Sequence, residues 1–289
     1  MRNLRVLDNT ALNDFRTCRW KYYAGMVLHR RANITSSPLW YGTVVHKMLE
    51  IFYKTHDETL AIAVANKLYL GKEPNRDDYR TLARAILVFK DYVKHYGVPN
   101  PRIEETVGWP DAPAVEISTS LELDDLDNPG QTFPYAVRID RLVRLNGLLH
   151  VEDHKTASQF GKTYFKEYIM SPQMMGYARV AELITGERIH GVRINVICTR
   201  SKDHEFARQI IPYSTARLDG WQRQTAVHVA EIASRMESGV WPRDYNCSPK
   251  YGSCTYFEVC RVPDDLQQRS LELDFTVAPW DPLSLHDED

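Results

Sequence analysis

The sequence predicts an α/β fold with a mixed central sheet flanked by helices. Three observations carry the prediction. The chain up to Tyr96 reads as a run of helices. From Ala114 the pattern turns to strands, centred on a hairpin signal at Asn146-Gly147. Helix, strand, strand and helix then follow in turn, as expected of α/β chains.

The elements are predicted in order as follows. Residues from about Asn9 to Val27 read as one helix. A second begins near Pro38 in PLWYGTVVHKMLEIFYK, where Trp40, Val44, Met48 and Ile51 recur at helical spacing. Two more are expected from about Glu58 to Leu70 and from Arg76 to Tyr96. In the latter, Tyr79, Leu82, Ile86, Phe89 and Val93 form the core stripe. The Pro- and Gly-containing stretch GVPNPR ends the helical part. AVEISTSLEL alternates as a strand and leads into the acidic loop DDLDNPG. The hairpin FPYAVRIDRLVRLNGLLHVEDHKTAS comes next; both central residues of a type I′ turn need φ > 0, which Asn-Gly tolerates. Ser171 and Pro172 supply an N-cap and a first-turn proline for a helix to about Ile184, ended by Gly186. Strands GVRINVICT and FARQIIPYS and a long helix from about Ala216 to Glu237 follow. Cysteine-bearing loops and a polar tail, expected to be disordered from about Asp281, finish the chain.

Composition sets limits. The chain has 289 residues, 43% hydrophobic and 26% charged, as in a soluble globular protein. No run is apolar and long enough to span a membrane. The start, MRNLRVLDNT, lacks the apolar core of a signal peptide, so a cytoplasmic location is expected. A net charge of -2 excludes a bulk basic field for nucleic acid; contact would have to come from local patches such as Arg16, Arg19, Lys21 and the run His29–Arg31. FGKT at Phe160–Thr163 does not complete a phosphate-binding loop, since the residue five before Gly161 is Thr156. Helicase activity would therefore belong to another chain.

The hairpin carries the chemistry. If its loop has two residues, Leu145 pairs with Leu148, Arg141 with Glu152, and Asp140 faces Asp153. Carboxylates directly opposite each other have Cβ atoms roughly 4.5–5.5 Å apart and repel unless a cation holds them. Lys155, two residues past Asp153, projects from the same face. Two carboxylates and a lysine around one point suit metal-assisted phosphodiester hydrolysis. Glu152 points to the other face and reads as an ordinary cross-strand ion pair with Arg141. Glu116, on the preceding strand, reads as a surface charge in preference to a peripheral acid of the site.

Five cysteines in such a chain argue against structural disulfides. Cys247, Cys254 and Cys260 cluster near the end, and Cys18 is the natural fourth ligand of a thiolate site. Zinc and an iron–sulfur cluster both fit. Cys198, in INVICT, reads as a buried free thiol.

Taken in order, these motifs resemble the RecB-like branch of the PD-(D/E)XK nuclease superfamily, nearest to its iron–sulfur exonucleases of CRISPR-associated and phage-encoded type. GTVVH matches the family's glycine-to-histidine helix motif and implies His46 as a metal ligand. RIDR supplies Asp140, and EDHKT supplies Asp153 and Lys155, with the main-chain carbonyl of His154 as a further ligand. QMMGY matches the Q-x3-Y motif with Gln173 and Tyr177, which share one helix face and would contact DNA or buttress Lys155. The split cysteine set of Cys18 with Cys247, Cys254 and Cys260 implies a 4Fe-4S cluster in preference to zinc. Val137 stands where the family often has glycine and Arg19 where it has proline, and the Cys247–Cys254 gap is wide.

The resemblance implies a restriction-endonuclease-like sheet with a helical insertion. It implies one nuclease domain over 1–270, a cysteine-clamped subdomain split between 9–30 and 240–262, and a tail over 271–289. The activity implied is Mg²⁺- or Mn²⁺-dependent DNA cleavage, as an exonuclease on single strands or duplex ends. Helicase, recombinase or CRISPR-adaptation partners are implied, with roles in recombination, repair or CRISPR adaptation. Lys155 would orient or deprotonate the attacking water, lysine being suited because its pKa falls readily when it is desolvated near a cation. A non-catalytic DNA- or partner-binding module with a structural metal is the alternative.

Overall fold

The structure, a computed structural model, describes residues 6–32, 36–72, 74–108, 112–248 and 253–283. In chain order the elements are α1 (Asn9–Thr17), α2 (Arg19–Tyr22), a π-helical turn (Tyr23–Val27), β1 (Arg30–Ala32), α3 (Ser37–Thr55), α4 (Glu58–Tyr69) and α5 (Leu82–Tyr96). Then come β2 (Glu104–Thr106), β3 (Val115–Asp124), β4 (Thr132–Leu145), β5 (Leu148–Ala157), a 3-10 turn (Tyr164–Tyr168) and α6 (Pro172–Thr185). The chain ends with β6 (Val192–Thr199), β7 (His204–Ile211), α7 (Thr215–Ser238), α8 (Phe257–Arg261), α9 (Asp264–Asp274) and β8 (Phe275–Val277).

These form two compact units, each from separate stretches of chain. One comprises Met1–Thr35, Thr119–Val137 and Asp219–Asp289; the other comprises Ser36–Ser118 and Arg138–Leu218. The segments 9–30 and 240–262 both belong to the first.

The second unit contains the part of the sheet that matters for chemistry. Strand order is β2-β4-β5-β6-β7, with β3 also paired to β4. β5 and β6 run parallel, while β2–β4, β4–β5 and β6–β7 are antiparallel, so the sheet is mixed as predicted. A parallel pair needs a crossover, and α6 supplies it. Ser171 caps α6 by accepting from the Met174 N–H, and Gly186 ends it at φ 67°.

The core of this unit is Val44, Val45, Met48, Leu49 and Phe52 of α3 against Ala61, Ala65, Val88, Phe89 and Tyr92 of α4 and α5. The predicted stripe on α5 is met in part. Phe89 and Val93 are buried and Leu82 packs against the core, while Ala85, Val88 and Tyr92 complete the face in place of Ile86, and Tyr79 falls outside the helix. The reason is the start of the helix. Thr81 caps it, accepting from the Arg84 N–H at 3.2 Å, so Tyr79 lies before it and donates its hydroxyl to the Thr199 carbonyl at 2.9 Å.

In the first unit the helix expected over Asn9–Val27 is broken. Cys18 has extended backbone (φ -165°, ψ 122°), and the chain restarts as α2 and then a π-helical turn. The Asp244 carboxylate takes the Arg19 N–H at 2.7 Å, an orphan donor of the restarted helix. Ala24, Tyr256, Val259, Leu271 and Phe275 form a small core here. The expected tail departs from prediction at its start. α9 continues to Asp274, and β8 pairs antiparallel with β1 through Phe275↔Ala32. Residues 284–289 of that tail lie outside the described residues.

Candidate active site

The turn adopts the predicted geometry, with Asn146 at φ 48° and Gly147 at φ 84°. Leu145 pairs with Leu148 and Arg141 with Glu152, as counted from the sequence. The pairing of β4 with β5 stops there. In antiparallel alternation the next residue of β5 to bond across would be His154. Its N–H instead donates to Asp140 Oδ2 at 2.6 Å, so a side chain ends the ladder where the site begins.

α3 brings His46 to this point. Gly42 lies one turn earlier, where a Cβ would come within 3.0 Å of Thr156 Oγ1 on β5, closer than ordinary contact. The glycine lets helix and strand approach. His46 Nδ1 lies 3.6 Å from Asp140 Oδ2, and the ring hydrogen-bonds to the main chain of His154. That bond favours the protonated ring, so it runs to the carbonyl, the group expected to serve as a ligand.

Glu116 completes the cluster. Among the described residues, His46, Glu116 and Asp140 form a group whose ligand atoms all lie within 4.8 Å of one another. The surface reading of Glu116 is therefore overturned. Glu116 sits at φ 54°, the left-handed region that costs a non-glycine residue of order 1 kcal/mol or more. Strand alternation contains no trace of that twist, which is why sequence reasoning placed it wrongly. Asp153 is not a member of the group. Burial raises the Glu116 carboxyl to about 8, reinforced by the charge of Asp140. Burial raises Asp140 to about 6 despite Lys155 and the His154 N–H, and raises Asp153 to about 6 against the pull of Lys155. His46 is lowered to about 4, by burial first and the Lys155 charge second. Carboxyls that resist ionisation next to a neutral imidazole suit a divalent cation, which would supply the missing charge.

Lys155 Nζ donates to Asp153 at 3.0 Å and to Gln173 Oε1 at 3.2 Å, and Gln173 Nε2 donates to the Tyr177 hydroxyl at 2.9 Å. Gln173 and Tyr177 thus stand behind the lysine on one face of α6. The lysine's pKa is raised: burial works against its charge, but Asp153 and Asp140 outweigh burial.

The other face of β5 is polar too. Arg141 and Glu152 do pair, yet both are fully buried, so the pair is not ordinary. Arg141 donates to Glu104 at 2.7 Å, and Arg193 donates to both Glu152 and Glu104. Arg208 reaches the hydroxyls of Tyr53 and Tyr92 at 2.8 and 2.7 Å. The His154 ring belongs to this side. It stacks on Tyr53 with centroids 5.7 Å apart and meets Asn195 Nδ2 at 2.7 Å. Burial lowers its pKa well below the usual value.

In the first unit, Cys18, Cys247, Cys254 and Cys260 are all free thiols. Cys254 donates its N–H to the Cys247 carbonyl at 2.8 Å. Burial raises the thiols of Cys254 and Cys260; Cys254 also feels Cys18 and Cys247, and Cys260 feels Cys254 and Cys18. Cys198 is a buried free thiol, as read from the sequence. Two members of the N-terminal basic patch are paired with acids: Arg19 with Asp244 and Glu231, and Lys21 with Asp14 at 2.6 Å.

Two strands, β3 and β4, and helix α3 gather two carboxylates and an imidazole, with a buttressed lysine on the adjoining strand β5, and this donor set fits a divalent cation of hydrolytic type. The chain matches the family model of the PD-(D/E)XK nuclease superfamily over residues 9–261, and it belongs to that superfamily. Membership indicates metal-dependent nuclease activity with DNA as substrate. No curated protein matches the sequence. Among solved structures it is similar to one described as the crystal structure of SSO0001. Identity is 15%, covering 65% of this chain and 74% of that one, with a TM-score of 0.30. A score that low carries no argument about fold or function. No described helix is long and apolar enough to cross a membrane.

Proposed function

We propose that this chain is a DNA exonuclease acting on single strands or duplex ends with Mg²⁺ or Mn²⁺. One observation carries the reading: His46, Glu116 and Asp140 converge within 4.8 Å, while Lys155 on the adjoining strand is held by Asp153 and Gln173. His46, Glu116 and Asp140 would hold the metal, with the His154 carbonyl beside them. When bound, the ion acidifies a coordinated water and offsets charge on the scissile phosphate.

The protein groups divide the remaining work. The imidazole among oxygen donors favours Mn²⁺ more than an all-oxygen site would. Asp153 keeps the lysine charged and in place, and Gln173 and Tyr177 fix its direction. A charged lysine so placed stabilises negative charge developing on phosphate and orients the attacking water.

The four cysteines would hold a 4Fe-4S cluster. The reading rests on the order of the four cysteines in the sequence, one early and three late. A single zinc ion at about 2.3 Å from each sulfur would need thiols roughly 3.8 Å apart. We place the protein in the cytoplasm, in recombination, repair or CRISPR adaptation, beside a helicase, recombinase or adaptation partner that supplies ends.

The test is an end-labelled digestion series on linear single-stranded, linear duplex and circular DNA with Mn²⁺. Stepwise shortening of linear substrates with circles left intact is expected. Cleavage of circles would overturn the exonuclease reading, and cleavage that survives Asp140→Asn would overturn the metal site.

A further inference from the structure

Residues 158–171, between β5 and α6, have a composition that the metal site does not explain. The segment reads SQFGKTYFKEYIMS, with four aromatic rings, two lysines and one glutamate. Phe160, Tyr164, Phe165 and Tyr168 are all partly exposed, and Lys162 and Lys166 are exposed. Rings of this size normally go to a core. Here they form a surface array, with centroids 5.4 Å apart for Phe160–Tyr164, 5.6 Å for Phe160–Phe165 and 5.7 Å for Tyr164–Tyr168. Their planes cross at 64°, 82° and 48°, so these rings do not stack on one another.

The array is anchored and adjoins the candidate active site. Tyr213 donates its hydroxyl to the Tyr168 carbonyl, and Tyr168 donates to the Tyr164 hydroxyl at 3.2 Å. Tyr164 lies within electrostatic reach of Lys155, and Tyr168 within reach of Asp153.

We propose that residues 158–171 form a platform for single-stranded DNA beside the site, with rings stacking on bases and Lys162 and Lys166 meeting phosphates. The inference rests on the nuclease reading and deepens it by naming the substrate form. Charge argues for the occupant: the segment is net cationic in a chain whose overall charge is -2. Flat faces beside cations suit a strand of unpaired bases, since every base has a face to stack and a phosphate to neutralise. A duplex keeps its base faces stacked inside and would leave the rings unused.

The test compares equilibrium binding, by fluorescence anisotropy in EDTA, of a labelled thymidine 12-mer, an abasic 12-mer of equal charge and a duplex of the same length. The intact chain should bind the thymidine oligomer at least about ten-fold more tightly than the abasic one. Phe160→Ala should remove that preference while leaving abasic binding unchanged, and Phe160→Trp should restore it. Equal binding of the two 12-mers by the intact chain, or tighter binding of the duplex, would overturn the platform. So would an equal loss on both 12-mers in a Phe160→Ala protein that melts normally. Cleavage with Mn²⁺ is scored separately. A protein that prefers bases but never cuts loses the nuclease reading alone, and one that cuts without base preference loses the platform alone.

Discussion

Lys155 and Glu116 show how much one side chain decides. Lys155 is held by Asp153 and Gln173 and keeps its charge. Lys155→Ala should lower the cleavage rate by about 10²–10³ while Mn²⁺ affinity, read by calorimetry, stays within a few-fold. Equal loss of both would show the lysine to be part of the ligand frame instead. Glu116 gives a pH dependence. Its folded pKa is about 8 against an ordinary 4.5, because it is buried next to Asp140. The stability it contributes is whole below its unfolded value and is lost as pH rises through about 8. Asp140 and Asp153 have the same sign with folded values near 6. His46 runs oppositely: its contribution is present above 6.5 and lost as pH falls through about 4. Between about pH 9 and 7 Glu116 is the one of these four that titrates, so in EDTA the melting temperature should rise as pH falls across that range. Glu116→Gln should flatten the slope; an unchanged slope in the variant would place the proton elsewhere. Lys155 was legible in the sequence because its position depends on strand parity alone. Glu116 was not, because a left-handed backbone in a strand leaves no mark on alternation.

At the scale of elements, the approach of α3 to β5 sets the site. The glycine at position 42 permits it, and His46 follows one turn later on the same helix. Gly42→Val would push the helix away from Thr156 and move the imidazole off the metal. Misplacement near 1 Å costs on the order of 10²-fold in rate. Cleavage should fall by that order, and Mn²⁺ affinity should weaken in parallel, in a protein whose circular dichroism is unchanged. Full activity in the variant would mean that the close approach is incidental. The hairpin, α6 and its caps were legible because Asn-Gly, Ser-Pro and Gly act through local backbone geometry. The break at Cys18 was not, since the group that takes the Arg19 N–H comes from Asp244, more than two hundred residues away in sequence. The start of α5 was missed for a related reason: Thr81, not the apolar pattern, sets where that helix begins.

At the scale of the whole molecule, two kinds of cofactor would have separable effects. EDTA should abolish cleavage and leave the fold intact, because the metal site sits on strands and a helix that pack independently of it. Cys18→Ser should bleach absorbance near 400 nm and lower the melting temperature, because the thiolates would tie together chain ends more than two hundred residues apart. A protein isolated colourless, with zinc in equal amount, would replace the cluster by zinc. The buried network of Arg141, Glu152, Arg193 and Glu104 predicts a further cost. Arg193→Met leaves Glu152 short of a partner inside the sheet and should destabilise by about 3–5 kcal/mol in urea unfolding. A change below about 1 kcal/mol would mean that water or Arg208 replaces it.

By itself the sequence determined the hairpin register from Arg141↔Glu152 to Leu145↔Leu148, the α6 caps and the superfamily, because these follow from local backbone rules and from motif order. Only the tertiary structure decided that Glu116 joins His46 and Asp140, that Asp153 holds Lys155, and that Glu152 lies in a buried charge network. Those outcomes depend on which distant segments meet and on how far water is excluded where they do.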